Sequence, residues 1–361
     1  MFNIDSIFEI SPYSLNHTQK TELYIDILKS LTEHHFEMCP EYKKLLNTLC
    51  FNLNEIKPIE NIPFIPVRLF KEYDLLSVDR SQVIKTMTSS GTTGQSVSKI
   101  FLDKVTSSNQ TKALTKIVSS FTGKKRLPML VIDSSAVIKD RNLFSARGAG
   151  ILGFSMLGYD VTYALDEKMN LDMETIQGFL NKHKGETILL FGFTFMIWEH
   201  FYGALKKANK KLSLDNSILI HGGGWKKLIN QAVDNDSFKD SLHDLCGISN
   251  IYNYYGMVEQ TGSIFMECEE GHLHASIFSD IIIRDHKNFC SLGKGQQGLI
   301  QLISLLPYSY PGHSILSEDL GELLGEDDCP CGRMGKYFKI HGRIKNAEVR
   351  GCSDTYANDK R

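Results

Sequence analysis

Three short apolar runs in the middle of the chain constrain its fold more than any other feature. Each is followed by a polar or glycine-rich turn and then by sequence with helical spacing; the runs are LPMLVID (127–133), ILLFGF (188–193) and SILIHGGG (217–224). Continuous apolar runs of this length are typical of buried β-strands in sheets that helices cover on both faces. The pattern predicts an α/β fold.

The sequence on either side of these runs has a different character. The N-terminal part is polar, shows helical spacing of its apolar side chains, and then passes through two prolines into an extended segment. Toward the C-terminus the apolar segments become shorter, and their pattern is typical of strands joined by turns. These segments are HLHASIFSDIIIRD, GLIQLISLL, LGELLGEDD and YFKIHGR. We expect a helical lead-in over 1–85, an α/β domain over 86–342 with a small β-rich subdomain from about 262, and a short hinge and tail over 343–361.

Composition and charge limit the possible partners. The chain has 361 residues, of which 42% are hydrophobic, so it can bury a cleft; its formal charge of -2 gives no basic field for nucleic acid. The N-terminus lacks the features of a secretory signal, and no stretch approaches about 20 apolar residues. We therefore expect a cytoplasmic protein without a transmembrane segment that binds small ligands or another protein.

The stretch TSSGTTGQSVSK combines glycines with many hydroxyl side chains. Glycines let backbone N–H groups approach an anion closely, and hydroxyls donate further hydrogen bonds. The candidates for wrapping a polyphosphate are Thr88, Ser89, Ser90, Gly91, Thr92, Thr93 and Gly94, and Lys99 could neutralise its charge. A mobile polar loop is the alternative, and the usual P-loop motif is not matched because Gln95 follows Gly94.

This stretch resembles the phosphate loop of adenylate-forming enzymes, which use ATP to convert a carboxylic acid into an acyl-adenylate. Further segments resemble motifs of the same family in the same order: HGGGW (221–225), YYGMVEQ (254–260), LSEDLGELL (316–324) and HGRIKNAEVRG (341–351). The resemblance implies the large domain of these enzymes, with helix-covered sheets and a small β-rich subdomain. It also implies ATP and Mg²⁺ as cofactors.

The resemblance assigns roles to individual residues. Glu259 would help to hold Mg²⁺ on the phosphates, a task that suits a carboxylate because Mg²⁺ prefers hard oxygen ligands. Val258 stands where the family usually has a threonine. The remaining nucleotide contacts would be Gly222, Gly223 and Gly224 against the base, Tyr255 and Gly256 at the adenine, Asp319 and Arg343 at the ribose, and Lys345 at the hinge pivot.

The C-terminal sequence restricts the resemblance to one group of adenylate-forming enzymes. The chain ends ten residues after Gly351, whereas adenylate-forming enzymes normally continue into a small domain that carries the lysine used in adenylation. LuxE-type acyl-protein synthetases also stop shortly after the hinge, and in them a cysteine near the C-terminus accepts the acyl group. The resemblance implies that role for Cys352, with Lys99, Mg²⁺, Lys345 or Arg350 supplying positive charge at the α-phosphate. A tail cysteine without a role is the alternative.

Two segments, CEEGHLH (268–274) and CPCG (329–332), combine thiol and imidazole ligands around turns, as tetrahedral zinc requires. The predicted site is Cys268, His274, Cys329 and Cys331, with His272 as a substitute for His274. Similar paired segments occur in relatives that resemble phenylacetate-CoA ligase, some of which bind structural zinc. Ordinary cysteines at β-turns are the alternative.

Three functions remain open at this point. The first is an enzyme that activates a carboxylic acid, loads the acyl group onto Cys352 and passes it to a partner such as an acyl reductase, an acyltransferase or a carrier protein. The second is a ligase that delivers the acyl group to coenzyme A or a carrier, with Cys352 incidental. The third is a non-catalytic nucleotide-binding scaffold. The segment FGFTFMIWEH (191–200) favours an apolar acid such as a fatty acid, although core packing explains it equally well.

Overall fold

The structure, a computed structural model, describes residues 4–52, 56–89, 97–139 and 146–344. These residues form two compact units. One unit combines the residues up to Ile117 with those from Gly256 onward, and the other comprises Val118–Tyr255. The first unit is therefore discontinuous in sequence, and its two segments are joined by the chain of the second.

The N-terminal segment of the first unit begins with two helices. The side chain of Asn16 accepts a hydrogen bond from the backbone of Gln19, and the side chain of Gln19 accepts one from the backbone of Asn16, which caps α1. Leu28 and Leu31 are buried, as their helical spacing predicts. The elements of this segment are α1 (His17–Met38), α2 (Pro40–Thr48), β1 (Ile65–Pro66), α3 (Leu69–Glu72), β2 (Lys85–Thr88), β3 (Lys99–Leu102) and α4 (Lys104–Thr122).

The second unit is built on a parallel sheet. Among the described residues its strands are β4 (Leu127–Ser134), β5 (Gly158–Leu165), β6 (Ile188–Phe193), β7 (Ser217–Gly222) and β8 (Asn250–Tyr255). They lie in the order β5-β4-β6-β7-β8, and each neighbouring pair is parallel. Strands β4, β6 and β7 are almost wholly buried. The three apolar runs are therefore confirmed as buried strands.

Helices cover both faces of this sheet. Leu190 of β6 belongs to a core that also contains Phe179 and Leu242 from two of the helices. The next residue, Phe191, points to the opposite face and stacks on Phe154 with 4.2 Å between ring centroids. The helices are α5 (Ala136–Lys139), α6 (Ala146–Ser155), α7 (Met173–Lys182), α8 (Thr194–Met196), α9 (Gly203–Lys207) and α10 (Asn235–Cys246), with π-helical residues Ile197–Tyr202 between α8 and α9.

The second segment of the first unit is rich in β-strands, as its sequence predicts. The strands are β9 (Phe265–Glu267), β10 (Leu273–His274), β11 (Ser279–Arg284), β12 (Gln297–Ser304), β13 (Ser314–Glu326) and β14 (Lys336–Arg343). They are antiparallel to their neighbours in the order β11-β12-β13-β14-β10-β9. The short strand β1 pairs in parallel with β13, so the N-terminal segment and the strand-rich segment form one unit.

A buried charged cluster fastens α1 to these strands. The Nζ atom of Lys20 lies 3.8 Å from a carboxylate oxygen of Asp280, and that of Lys336 lies 3.5 Å from the same oxygen. Lys20 also donates to the carbonyl of Ser279 at 2.9 Å. Burial of an unpaired charge is costly, so the Lys20 ammonium must lie beside the Asp280 carboxylate and the Ser279 carbonyl. This requirement fixes the position of α1 on the strands. In the part of the chain that the structure describes, none of the helices combines the length and apolarity needed to span a membrane.

Two buried histidines lie between α1 and the strand-rich segment. The rings of His35 and His313 stack with 4.8 Å between their centroids, His313 is 3.1 Å from the Thr32 hydroxyl, and His35 is 2.7 Å from that of Ser77. Burial lowers the pKa of His313 to about 3 and lowers that of His35 well below its ordinary value. Both rings are therefore neutral in the folded protein near neutral pH.

These histidines predict that stability decreases in acid. Each has a lower pKa in the folded than in the unfolded chain, so the unfolded chain binds more protons below the ordinary value of about 6.5, and the folded state loses up to about 1.4 kcal/mol per pH unit for each histidine. Urea unfolding from neutral pH down to about pH 5 measures the decrease. In His313→Asn, which cannot titrate at this position, we expect a smaller decrease; a decrease equal to that of the unsubstituted protein would contradict this explanation.

Candidate active site and metal centre

The predicted phosphate loop connects the two strands of a β-hairpin. Thr88 ends β2 directly opposite Lys99 at the start of β3. The hairpin is extended by Ser89, whose backbone donates to the carbonyl of Ser98 at 3.1 Å and whose hydroxyl accepts from the Ser98 backbone at 2.8 Å. These hydrogen bonds hold the two ends of the loop at a fixed separation. The loop residues Ser90, Gly91, Thr92, Thr93 and Gly94 lie outside the described residues.

Lys99 lies at the loop end of this hairpin with its side chain about half exposed. Its Nζ atom is 3.4 Å from Asp74, which also forms an ion pair with Arg80 at 2.6 Å. The hydrogen bond from Arg80 is the main reason why the pKa of Asp74 lies below its ordinary value. Exposed ion pairs contribute at most about 1 kcal/mol, so Lys99 can turn from Asp74 toward a phosphate at small cost.

The glycine turn after β7 lies against aromatic rings of the second unit. A Cβ atom at Gly222 would be 2.5 Å from the ring of Tyr254, and one at Gly223 would be 3.2 Å from Phe193. Gly223 also has a φ of +79°, which favours glycine. Glycine is therefore required for close packing at this turn. The predicted Tyr255 is half-buried at the end of β8. Its neighbour Tyr254 is the tyrosine that packs against Gly222.

The order of the parallel strands places this turn at the edge where ligands bind in such sheets. The chain runs from β4 outward to β5 and then returns to β6 on the other side of β4. Open parallel sheets bind ligands outside the carboxyl ends of their strands, at the point where the direction of the connections reverses. The residues at these ends are Asp133 and Ser134 of β4, Thr194 after β6, and His221 and Gly222 of β7.

Buried polar pairs at this edge were not found from the sequence. Arg147 of α6 donates to Asp133 through Nε at 2.6 Å and through a second nitrogen, forming a two-pronged ion pair with both side chains almost fully buried. The hydroxyl of Thr194 lies 2.9 Å from Nδ1 of His221 and donates to the carbonyl of Gly222 at 3.2 Å. The only sequence signal was an aspartate at the end of the apolar run LPMLVID, and its partner is distant in sequence.

Other residues predicted to contact the nucleotide belong to the first unit. Arg343 of β14 donates to Asp319 of β13 at 3.0 Å, because the two residues are direct partners in the β-ladder. The structure thus brings together the two residues that were assigned separately to the ribose. Glu259 is almost fully buried in a 3₁₀ turn, Val258–Gln260, that follows Gly256. Lys345 and Cys352 lie outside the described residues.

Three thiols and one imidazole meet at the turns before β10 and β14. The ligand atoms of Cys268, His274, Cys329 and Cys331 all lie within 4.8 Å of one another. The Sγ atoms of Cys268 and Cys329 are 4.0 Å apart, and Sγ of Cys331 is 3.4 Å from Nε2 of His274. Ligands at the usual zinc–sulfur length of about 2.3 Å are separated by about 3.8 Å in a tetrahedron, so this donor set fits zinc.

The structure also separates the two histidines that the sequence left as alternatives. His274 belongs to the group of four ligands, whereas Nδ1 of His272 lies 3.4 Å from Cys329 beside the group. The ring of Tyr337 stacks on both imidazoles, with 5.5 Å between its centroid and that of His274 and 5.0 Å for His272. This contact fixes the orientation of the His274 ring. His274 is therefore the predicted imidazole ligand.

Comparison with protein families matches residues 2–360 to the family described as "Acyl-protein synthetase, LuxE". Two curated relatives are similar over nearly the whole chain, and both have the name Long-chain-fatty-acid--luciferin-component ligase. The protein from Vibrio harveyi is 23% identical over 358 residues, which cover 97% of this chain and 91% of the relative. The protein from Aliivibrio fischeri is 22% identical over 371 residues, which cover 98% and 93%.

Comparison with solved structures shows the fold. An open conformation of 2-hydroxyisobutyryl-CoA ligase, in complex with 2-HIB-AMP and CoA, gives a TM-score of 0.72 at 15% identity and covers 92% of this chain and 77% of its own. The same ligase in its thioesterification state gives 0.71 at 16% identity, covering 92% and 70%. The predicted fold, the α/β large domain of an adenylate-forming enzyme, is confirmed.

The cluster of three cysteines and one histidine predicts a metal content and a contribution to stability. We propose that these four side chains hold a structural Zn²⁺, and we expect about one equivalent of zinc per chain in the purified protein. Cys331→Ser should lose the metal and lower the melting temperature, because serine is a poor zinc ligand at neutral pH. Cys290→Ser, at an exposed cysteine outside the cluster, is the matched control. Metal-free protein of full stability would contradict the assignment.

Proposed function

The chain belongs to the LuxE family of acyl-protein synthetases and is therefore an acid–thiol ligase, and we propose that it activates a long-chain fatty acid and transfers the acyl group to Cys352. The observation that carries this proposal is the family match over residues 2–360. The names of both curated relatives specify a long-chain fatty acid and a luciferin component. Activation as an acyl-adenylate agrees with the adenylate-forming fold.

The first half-reaction would form the acyl-adenylate from ATP and the acid. The carboxylate oxygen attacks the α-phosphorus, the bond to the β-phosphate breaks, and pyrophosphate leaves with the electron pair. Negative charge accumulates on the α-phosphate, so donors and positive charge that are already in place lower the barrier. We assign this task to the loop Thr88–Gly94 and to Lys99, whose side chain can leave Asp74.

The remaining nucleotide contacts would be with the base, the ribose and the hinge. We assign Gly222, Gly223, Gly224, Tyr255 and Gly256 to the base, and Asp319, Arg343 and Lys345 to the ribose and the hinge. Mg²⁺ would supply charge neutralisation on the phosphates. The chain would hold it through the Glu259 carboxylate, a hard oxygen ligand on a turn whose backbone is fixed.

The second half-reaction would transfer the acyl group to sulfur. The Cys352 thiolate attacks the carbonyl carbon of the acyl-adenylate, the bond between that carbon and the phosphate oxygen breaks, and AMP leaves with the electron pair. The resulting thioester would then pass to a protein partner such as an acyl reductase, an acyltransferase or a carrier protein. This acceptor is proposed from the family and from the names of the relatives.

The nature of the acid is also proposed from the relatives rather than from the aromatic segment 191–200. Within that segment Phe191 and Ile197 are fully buried, and Trp198 packs against the core of the second unit. Core packing therefore accounts for most of these side chains. Among the aromatic side chains of the segment, Phe193 ends β6 at the carboxyl edge of the sheet, against Gly223 and near Gly150.

The phosphate-loop assignment predicts a loss of the first half-reaction. Lys99→Ala and Gly91→Leu should each lower the rate of acid-dependent pyrophosphate exchange by about 100-fold or more, the effect of removing one charge-stabilising group from a transition state. Lys85→Ala, on the other strand of the same hairpin, should retain exchange. Normal exchange in both loop variants, with folding verified by circular dichroism, would remove this assignment.

The thioester predicts a covalent adduct on Cys352. Incubation with ATP, Mg²⁺ and a panel of carboxylic acids should increase the intact mass by one acyl group, and neutral hydroxylamine should reverse the increase. Cys352→Ser should lose the adduct and keep pyrophosphate exchange, because the thiol enters only in the second half-reaction. Cys290→Ser should behave like the unsubstituted protein. An adduct that persists in Cys352→Ser would disprove this acceptor. When coenzyme A is added to the same incubation, release of acyl-CoA without an adduct would establish the CoA-ligase alternative.

A further inference from the structure

The turn that carries Glu259 has little regular structure of its own. It is a 3₁₀ turn of three residues, Val258–Gln260, in the connection between β8 and β9. Such a short turn cannot fix a side chain through its own hydrogen bonds, because most of its backbone groups have no partner within it. Its geometry therefore depends on contacts with other parts of the first unit.

Two side chains link the turn to other segments, one reaching its backbone from outside and one belonging to the turn itself. The hydroxyl of Tyr310 donates to the carbonyl of Glu259 at 2.9 Å. The side-chain amide of Gln260 donates to the carbonyl of Gly312 at 2.8 Å and to that of Leu302 at 3.1 Å. The turn is thus bonded to β12 and to the loop before β13. The bond from Tyr310 is the one that acts directly on Glu259.

Tyr310 is itself held on several sides. It is fully buried, and its ring packs edge-on against Phe70 with 6.2 Å between centroids. Its hydroxyl accepts a hydrogen bond from the side-chain amide of Gln110 on α4 at 3.4 Å. These contacts fix the hydroxyl where it donates to the carbonyl of Glu259.

Two glycines allow this close packing. A Cβ atom at Gly312 would lie 2.2 Å from the Tyr310 ring and 3.1 Å from the carbonyl oxygen of Glu259. Gly262 has a φ of +87°, and a Cβ atom there would lie 2.5 Å from the backbone oxygen of Gln110. Real Cβ atoms do not approach other atoms this closely, so both positions require glycine. The turn, Tyr310 and α4 are therefore packed as one block.

We propose that Tyr310, supported by Gln110, is a positioning residue that holds the Glu259 carboxylate in place for Mg²⁺·ATP. The inference rests on the proposed role of Glu259 as a magnesium ligand and extends it to side chains that do not touch the metal. A ligand that is already oriented binds its metal without an additional cost of ordering, so loss of the Tyr310 hydroxyl weakens the magnesium-dependent part of ATP binding.

The test compares ATP affinity with excess Mg²⁺ and with EDTA, by isothermal titration calorimetry on the full-length chain. The ratio of the two dissociation constants measures how much magnesium strengthens binding. In Tyr310→Phe, which keeps the ring and removes only the hydroxyl, the ratio should fall about 3- to 10-fold while affinity in EDTA stays the same. Gln110→Met, which removes the support for Tyr310, should produce a smaller fall in the same direction.

Tyr24→Phe is the matched control. Tyr24 is also a fully buried tyrosine of the first unit, and its hydroxyl donates to the carbonyl of Ile277 at 3.1 Å. This variant should lose a comparable hydrogen bond and a comparable amount of thermal stability, with the magnesium ratio unchanged. A ratio that falls equally in Tyr24→Phe would show a general effect of destabilisation and would overturn the inference.

Glu259→Gln separates this inference from the proposal on which it rests. If the ratio falls in Glu259→Gln and in Tyr310→Phe, the positioning role is supported. If it falls in Glu259→Gln but stays unchanged in both Tyr310→Phe and Gln110→Met, the positioning role is wrong and the magnesium role of Glu259 stands. If Glu259→Gln leaves the ratio unchanged, the magnesium role is wrong and the positioning role is rejected with it.

Discussion

Burial of the parallel sheet on both faces decides where the second unit can bind a ligand. The interior strands use their backbone groups in the ladders and their side chains in the two cores, with Leu190 and Phe191 facing opposite ways. At the strand ends the chain leaves these ladders and cores. The polar and glycine residues at the carboxyl ends, including Asp133, Thr194 and the glycine turn, therefore collect at one edge of the sheet.

The first unit positions its candidate functional side chains by two different means. Asp319 and Arg343 are partners across a β-ladder, so the register of two long strands sets their distance. Glu259 lies on a turn of three residues, and its backbone carbonyl is held by the side chain of Tyr310 from another segment. Regular ladders tolerate substitution of surface residues around them. A supported turn is more sensitive, because each supporting bond comes from a single side chain.

The thiol and imidazole cluster lies where short strands and a small core provide little stability. Strands β9 and β10 contain three and two residues, and the hydrophobic cluster beside them is small. Strands this short gain little from their own pairing. A metal ion bound by Cys268, His274, Cys329 and Cys331 would link two turns that lie far apart in sequence, and it would supply stability that the small core does not. The buried lysines around Asp280 serve a related purpose at α1.

The sequence by itself determined the local features: the three buried strands, the helical N-terminal segment, the strand-rich C-terminal part and the order of the motifs. These are readable because strand periodicity, glycine turns and closely spaced cysteines depend on neighbours in the chain. Only the tertiary structure decided which distant residues meet. It selected His274 over His272, placed Tyr254 against the glycine turn, paired Asp133 with Arg147 and brought Tyr310 to Glu259. The path of the chain between two segments sets such contacts, and no local pattern records that path.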